Sequence, residues 1–276
     1  MPELPEVETT KNSLAPLIGQ KVKTVVVHQS SLRWPVPSDL DRLNGQTLLR
    51  LERRAKYILA YFGQAGIENH IALLHLGMSG SLTLVEPERE KRKHDHVIIS
   101  FEQIQLRYHD PRRFGSILWL NEYTQSLLSK LAPEPLTDDF NADYLWQKIQ
   151  NKSAAIKTVI MDNHIVVGVG NIYATEALFH TYIHPLRPAK SLTMLEVAAL
   201  TDEIKRILTA AIALGGSSLK DYVNGLGENG YFQQTLDVYG RAKEPCHRCH
   251  TLIETVRIGQ RASAFCPHCQ KLDNTI

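Results

Sequence analysis

Cysteine is missing from the first 245 residues of this 276-residue chain. A fold stapled by disulfides is thereby excluded for most of its length. Long apolar runs are missing too, since none reaches the roughly 18 residues that a membrane-spanning helix needs. The N-terminus, MPELPEVETT, has neither a basic start nor an apolar core. No secretory leader is expected, and the cytosol is the expected compartment. Net charge is scarce: Lys and Arg number 31 against 29 Asp and Glu, leaving a formal +2. That balance does not mark a nucleic-acid binder, so any basic surface must come from local clustering. What is present suits a folded protein, with 43% hydrophobic and 22% charged residues. General disorder is excluded, and the length fits one or two globular domains.

All four cysteines lie between Cys246 and Cys269. They read Cys246-x2-Cys249, sixteen residues, then Cys266-x2-Cys269. This is the spacing of a zinc ribbon, in which each CxxC turn brings two thiolates to one tetrahedral ion. One structural zinc is expected. The alternatives are two disulfides or a redox pair, and a reducing compartment speaks against both. His247, His250 and His268 stand beside the thiolates, but four sulfurs already complete the site. Between the pairs, Thr251–Gly259 reads as a strand, a turn and the start of a return strand.

The rest of the chain changes character along its length. Pro5, Glu6 and Glu8 suit the start of a short helix, with Leu4, Val7 and Leu14 on one face. From about 20 to 120 the pattern is short β-rich segments separated by Gly, Pro, Asn or charged turns, seven or eight strands that predict a β-sandwich. Pro133-Glu-Pro135 marks a linker. Helices are predicted over Asp143–Gln150, Ala154–Met161, Ile172–His180 and, most strongly, Leu195–Leu214. The last has a Thr193/Glu196 capping box and a Gly215-Gly216 stop. Residues 216–230, rich in Gly, Ser and Asn, read as an exposed, mobile loop.

Several segments could carry chemistry. A small second residue such as Pro2 normally permits removal of Met1, leaving a secondary amine at the chain end. An α-amino group titrates near ~7.7–8.0, so part of it is neutral and nucleophilic at cellular pH and can attack an aldehyde-like carbon. Glu3 beside it is a candidate acid/base. Arg50-Leu-Glu-Arg53-Arg54-Ala-Lys56 is a cluster of cations that can equally be a solvated strand edge. His94 and His96 share a strand face without a third metal ligand, which favours a DNA contact or a structural hydrogen bond. Met78 in His75-Leu-Gly-Met-Ser-Gly80 and Phe114 in Asp110-Pro-Arg112-Arg113-Phe-Gly115 are either core residues or exposed tips able to fill a gap in a base stack. Gly168-Val-Gly170-Asn171 opens a helix, where backbone N–H groups can meet a phosphate or Asn171 can be an N-cap.

The order of these segments is more telling than any one of them. Pro2-Glu-Leu-Pro-Glu-Val-Glu-Thr9, Arg53-Arg-Ala-Lys56, His75 to Gly80, Lys93-His-Asp-His96, Asp110 to Gly115, Met161-Asp-Asn, Val167 to Ala174, Gly240-Arg and the four-Cys unit occur together. In that order they resemble the formamidopyrimidine-DNA glycosylase family, the bacterial 8-oxoguanine DNA glycosylase/AP lyases. The resemblance covers essentially the whole chain. It implies an α+β multidomain fold: a catalytic β-sandwich led by a helix over 1–132, a helix–two-turns–helix domain over 133–235, and a zinc finger over 236–276. It implies that Pro2 attacks C1′ of a damaged deoxynucleotide, that Glu3 helps open the sugar, and that Lys56 and Arg261 serve the β- and δ-eliminations. His94, Arg112, Lys152 and Asn171 match phosphate grips, and Met78, Arg112 and Phe114 match a void-filling triad. Residues 217–230 match a loop over the everted purine. The expected partner is damaged double-stranded DNA, bound by a monomer associated with the nucleoid and not with a membrane. The endonuclease VIII branch, acting on oxidised pyrimidines, and a non-catalytic zinc-dependent DNA binder are the competing readings. The segment Phe62–His70 is longer than the family pattern leads one to expect.

Overall fold

The computed structural model describes residues 2–217, 225–226 and 230–272. The chain divides into two compact units, Met1–Lys130 with Ile212–Gln233, and Leu131–Ala211 with Gln234–Ile276.

The first unit opens with helix α1 (Leu4–Ser13). Its N-cap is Glu3, and Pro5 falls at the second helical position, one later than the sequence predicts. Eight strands follow: β1 (Thr24–Val27), β2 (Thr47–Arg54), β3 (Tyr57–Gln64), β4 (Ile67–His75), β5 (Ser81–Val85), β6 (Asp95–Ser100), β7 (Gln105–His109) and β8 (Ser116–Trp119). They form two antiparallel four-stranded sheets, ordered β1-β6-β7-β5 and β2-β3-β4-β8. Their inward apolar residues, among them Leu48, Ile58, Phe62, Leu74, Leu82, Ile99 and Tyr108, interdigitate with Val7 of α1 and with Leu14, its C-cap, in one core. This is the predicted β-sandwich with its leading helix. The basic segment Arg50–Arg54 lies on β2, an edge strand, as its charges favour.

The long Phe62–His70 segment extends the β3–β4 hairpin. Gln64 pairs with Ile67 across Ala65-Gly66, both at positive φ, which is the turn that matches strand twist. A short helix that the sequence reading missed, α2 (Glu122–Ser129), is capped by Asn121 and packs Leu127 and Leu128 against Leu59, Tyr61 and Leu73 on the outer face of the second sheet.

The second unit contains α3 (Ala142–Ile149), α4 (Ile156–Ile160), α5 (Asn171–His180) and most of α6 (Met194–Ala213). The α6 face predicted from spacing, Val197, Leu200, Ile204, Ile207, Leu208 and Ala211, is buried. The predicted strand and turn are present as β9 (Glu254–Ile258) and Gly259, but the return strand, β10 (Arg261–Phe265), starts past the predicted segment and pairs with β9 in a hairpin. The cysteine-bearing segment is packed on α5: Phe179 joins Val238, Cys246, Ile253 and Cys266 in one cluster. The Glu176 carboxylate accepts the amides of Asp237, Val238 and Tyr239 at 2.7–3.0 Å. Gln270 Nε2 donates to Ile183 O at 2.8 Å. The zinc-ribbon segment is thereby fastened to the helices it follows.

Candidate nucleic-acid interface and active site

In the first unit, Pro2 and Glu3 are buried at the N-terminus of α1. Glu3 and Glu6 form a reciprocal capping box, in which Glu3 N donates to Glu6 Oε2 at 2.8 Å. The box fixes the direction in which the chain enters the helix, and so the direction of the residue-2 nitrogen. Lys56 sits at the β2–β3 turn, after Ala55 at positive φ. Arg53 binds Ala55 O at 3.0 Å and Glu8 Oε2 of α1 at 2.7 Å, which ties this turn to the helix. Next to it, the His75 ring packs against Tyr57 at a tilt of 54°, with ring centroids 4.8 Å apart, and its Nδ1 accepts Gly77 N at 2.9 Å. Burial, then the charges of Lys56 and Arg33, push His75 down to about 4. It is neutral at physiological pH.

Met78 and Phe114 are exposed, at 41% and 44%. Composition alone favours placing both in the core, and the loops explain why they are not there. Buried Asp110 accepts Ser79 Oγ and Gly115 N, each at 2.8 Å, so one carboxylate ties both loops. A Cβ on Gly77 would lie 2.4 Å from Gly115 N, which shows how closely the two backbones approach. The tips are pushed outward, and the Arg112 guanidinium lies 4.9 Å from the Phe114 ring centre.

His94 lines a concavity of about 360 Å³ with His28, Lys91, Lys93 and Arg113. Desolvation and the neighbouring His109, Lys93, His96 and Arg113 hold its pKa below the usual histidine value. A bulge in β6 at His96 turns that ring inward, and its Nε2 lies 2.8 Å from Asp110 O. His96 is thus structural. Asp95, fully buried, bonds Arg92 N, Arg92 Nε and His109 Nδ1 at 2.8–3.1 Å. Burial opposes its ionisation, but these partners outweigh that and hold it down to about 2.

In the second unit, Lys152, Asn171 and Arg261 line one cleft of about 430 Å³. The N-cap of α5 is Gly170, so Asn171 is the first helical residue and its side chain is available for other work. Asn171 Oδ1 accepts Lys157 Nζ at 2.7 Å, and its Nδ2 donates to Ala262 O at 3.3 Å. Lys157 also donates to Ser263 Oγ at 2.7 Å and is only 1% exposed. Sequence reading passed over Lys157 and Asp110. A motif position supplied the only available signal for Asp110, and nothing local marks Lys157 as buried.

The sulfurs of Cys246, Cys249, Cys266 and Cys269 converge within 4.8 Å of one another. The pairs 249–266, 249–269 and 246–269 stand 3.4, 3.5 and 4.0 Å apart. A tetrahedron with Zn–S of ~2.3 Å has edges of about 3.8 Å, so the set fits one structural zinc. Most of the predicted loop 217–230 falls outside the described residues; Ser217, Gly225, Leu226 and Gly230 are within them. Among the described residues no helix is long and apolar enough to cross a membrane.

Comparison with known proteins follows the same order along the chain. Residues 1–117 match the formamidopyrimidine-DNA glycosylase N-terminal domain, 131–223 its H2TH domain, and 243–272 the zinc finger found in FPG and IleRS. Formamidopyrimidine-DNA glycosylase of Acinetobacter baylyi is 61% identical over 274 residues, 99% of each chain. That of Hydrogenovibrio crunogenus is 51% identical over 282 residues, covering 100% of this chain and 99% of its own. Among solved structures, Lactococcus lactis Fpg in complex with DNA containing an abasic site superposes with a TM-score of 0.89 at 34% identity, covering 98% of this chain and 99% of its own. MutM bound to DNA with carbocyclic 8-oxo-G gives 0.88 at 33%, covering 98% and 100%. On this whole-length likeness, in sequence and in fold, the chain belongs to the formamidopyrimidine-DNA glycosylase family.

Proposed function

We propose that the chain excises oxidised purines, 8-oxoguanine and formamidopyrimidines, from duplex DNA and then cuts the strand at the abasic sugar. The observation that carries this reading is the whole-length likeness to glycosylases solved on damaged DNA, with Pro2 and Glu3 intact at the start of α1.

The chemistry follows from that position. With Met1 removed, the Pro2 nitrogen is a secondary amine at the positive end of a helix dipole. That field disfavours a second positive charge and keeps more of the amine neutral. The amine bonds to C1′ while the bond from C1′ to the base breaks and the base takes the electron pair. Glu3 takes the proton that the alkylated nitrogen loses and passes it to the ring oxygen O4′. The C1′–O4′ bond breaks as the nitrogen lone pair moves in, and the sugar opens to an iminium. The iminium acidifies C2′–H. Lys56 carries protons in the elimination that expels the 3′ phosphate, and Arg261 assists the second elimination, which expels the 5′ phosphate. His94, Arg112, Lys152 and Asn171 grip phosphates and position the duplex without reading its sequence. Everting a nucleotide costs a few kcal/mol, and Met78, Arg112 and Phe114 offset part of this by filling the gap. The 217–230 segment contacts the everted purine. In this reading residues 1–132, 133–235 and 236–276 act as catalytic, helical DNA-binding and zinc-finger domains of a nucleoid-associated monomer.

Borohydride reduction on an 8-oxoguanine:cytosine duplex should trap a covalent complex with the processed protein. Pro2→Gly, or retention of Met1, should abolish trapping. Undiminished trapping with a blocked N-terminus contradicts the nucleophile assignment.

A further inference from the structure

Helix α1 carries more than the chain terminus. Glu6, 2% exposed, holds Glu3 N with Oε2 and accepts both Ser217 N and Ser217 Oγ with Oε1, at 2.8 and 3.0 Å. Seven residues on, Ser13 Oγ accepts Gly225 N at 2.8 Å and donates to Thr10 O at 2.7 Å. Positions seven apart share a helix face and stand about 10 Å apart along the axis. Ser217 and Gly225 are therefore fastened to one face of the helix that presents Pro2. Both anchors are tight. A Cβ on Gly216 would meet Glu6 Oε1 at 3.1 Å, and one on Gly225 would meet Ser13 Oγ at 2.3 Å. Gly225 O also accepts Leu84 N at 2.6 Å.

We propose that Glu6 and Ser13 are positioning residues for base excision, holding Ser217 and Gly225 in fixed register with the nucleophile on one shared helix. The inference rests on the proposed function, in which the 217–230 segment contacts the damaged base. Register matters to the step that needs the base. It does not matter to cleavage of a site whose base is already gone. The two carboxylate oxygens of Glu6 divide the work, one for the chain entry and one for Ser217. An amide in its place can accept on one side only, and it turns an N–H group toward a donor on the other.

The test compares two duplexes under single-turnover conditions, one with 8-oxoguanine opposite cytosine and one with a preformed abasic site. In Ser13→Ala, excision should slow at least fivefold, while abasic-strand cleavage and duplex affinity stay within twofold of wild type. Ser13→Thr keeps the hydroxyl and should restore excision. In Glu6→Gln, the ratio of excision to abasic cleavage should fall at least tenfold. Variants that slow both reactions in proportion, or neither, overturn the inference and leave the functional reading standing. Wild-type protein that processes neither duplex overturns both. Should Glu6→Gln not fold, the Ser13 pair decides.

Discussion

A lysine ammonium taken out of water is costly unless its donors are used, and Lys157 uses them on Asn171 Oδ1 and Ser263 Oγ. The amide of Asn171 is thereby fixed in orientation beside the cleft. Neither Lys157 nor Glu6 is legible as a buried charge in the sequence. Helical spacing shows where an apolar face lies, but not where a polar side chain turns inward. His75 is similar: its motif marks the position, while its state comes from burial and from two nearby cations. This has a consequence for stability. Folded His75 resists protonation down to about 4, whereas an unfolded histidine takes up a proton near ~6.5. Between those values the unfolded chain binds more protons. The stabilisation from neutral His75 is full above the unfolded value and is lost as pH falls toward the folded one. Its size is on the order of 3 kcal/mol. Urea unfolding of wild type and His75→Gln between pH 7 and pH 4.5 should converge as the medium is acidified. A stability gap that does not change with pH contradicts this.

At the scale of elements, the strands were legible wherever alternation or β-branched runs ended in turn residues, as at β5, β7 and β8. Prediction failed where tertiary context decides. The β4 strand begins at Ile67 because the hairpin turn, not the apolar run at Ile71, sets its start. The α2 helix has too little buried surface of its own to announce itself. The α4 helix is shorter than its pattern, since Ala154 O accepts Ala189 N, and Ala155, bridged to Pro188, serves only as the N-cap, its carbonyl accepting Val159 N. The two loops bearing Met78 and Phe114 depend on a glycine for a reason the sequence does not disclose. A Cβ at Gly115 would stand 1.8 Å from Tyr108 Oη and 2.5 Å from His75 O. Tyr108 is almost wholly buried, so it cannot step aside cheaply. Gly115→Ala should cost about 2 kcal/mol or more, lowering the urea midpoint without changing the slope. It should also shift Phe114 and reduce the preference for lesion over undamaged duplex. An unchanged midpoint contradicts the close packing described.

For the whole molecule, the formal charge of +2 gives no field strong enough to hold a polyanion. The relevant charge is gathered locally. Lys91, Lys93, His94 and Arg113 surround one concavity in the first unit, and Lys152, Lys157 and Arg261 surround a cleft in the second. Composition hid this because acids across the chain cancel the sum, and only the fold decides how few stand beside each basic cluster, Asp95 at the first and Asp162 at the second. Affinity built on a few phosphate contacts must weaken as salt rises, with a log–log slope of about −0.9 for each phosphate neutralised. Lys152 is exposed on the cleft and is not one of the buried ties. Lys152→Ala should therefore reduce the magnitude of that slope by about 1 and weaken lesion and undamaged duplexes alike. Met78→Ala removes no charge, so its slope should match wild type while its preference for the lesion declines. Titrations of both variants from 50 to 200 mM salt, read by fluorescence anisotropy, separate the two effects. If Lys152→Ala changes lesion preference and leaves the slope intact, the residue touches the base and not the backbone, and its assignment as a phosphate grip is wrong.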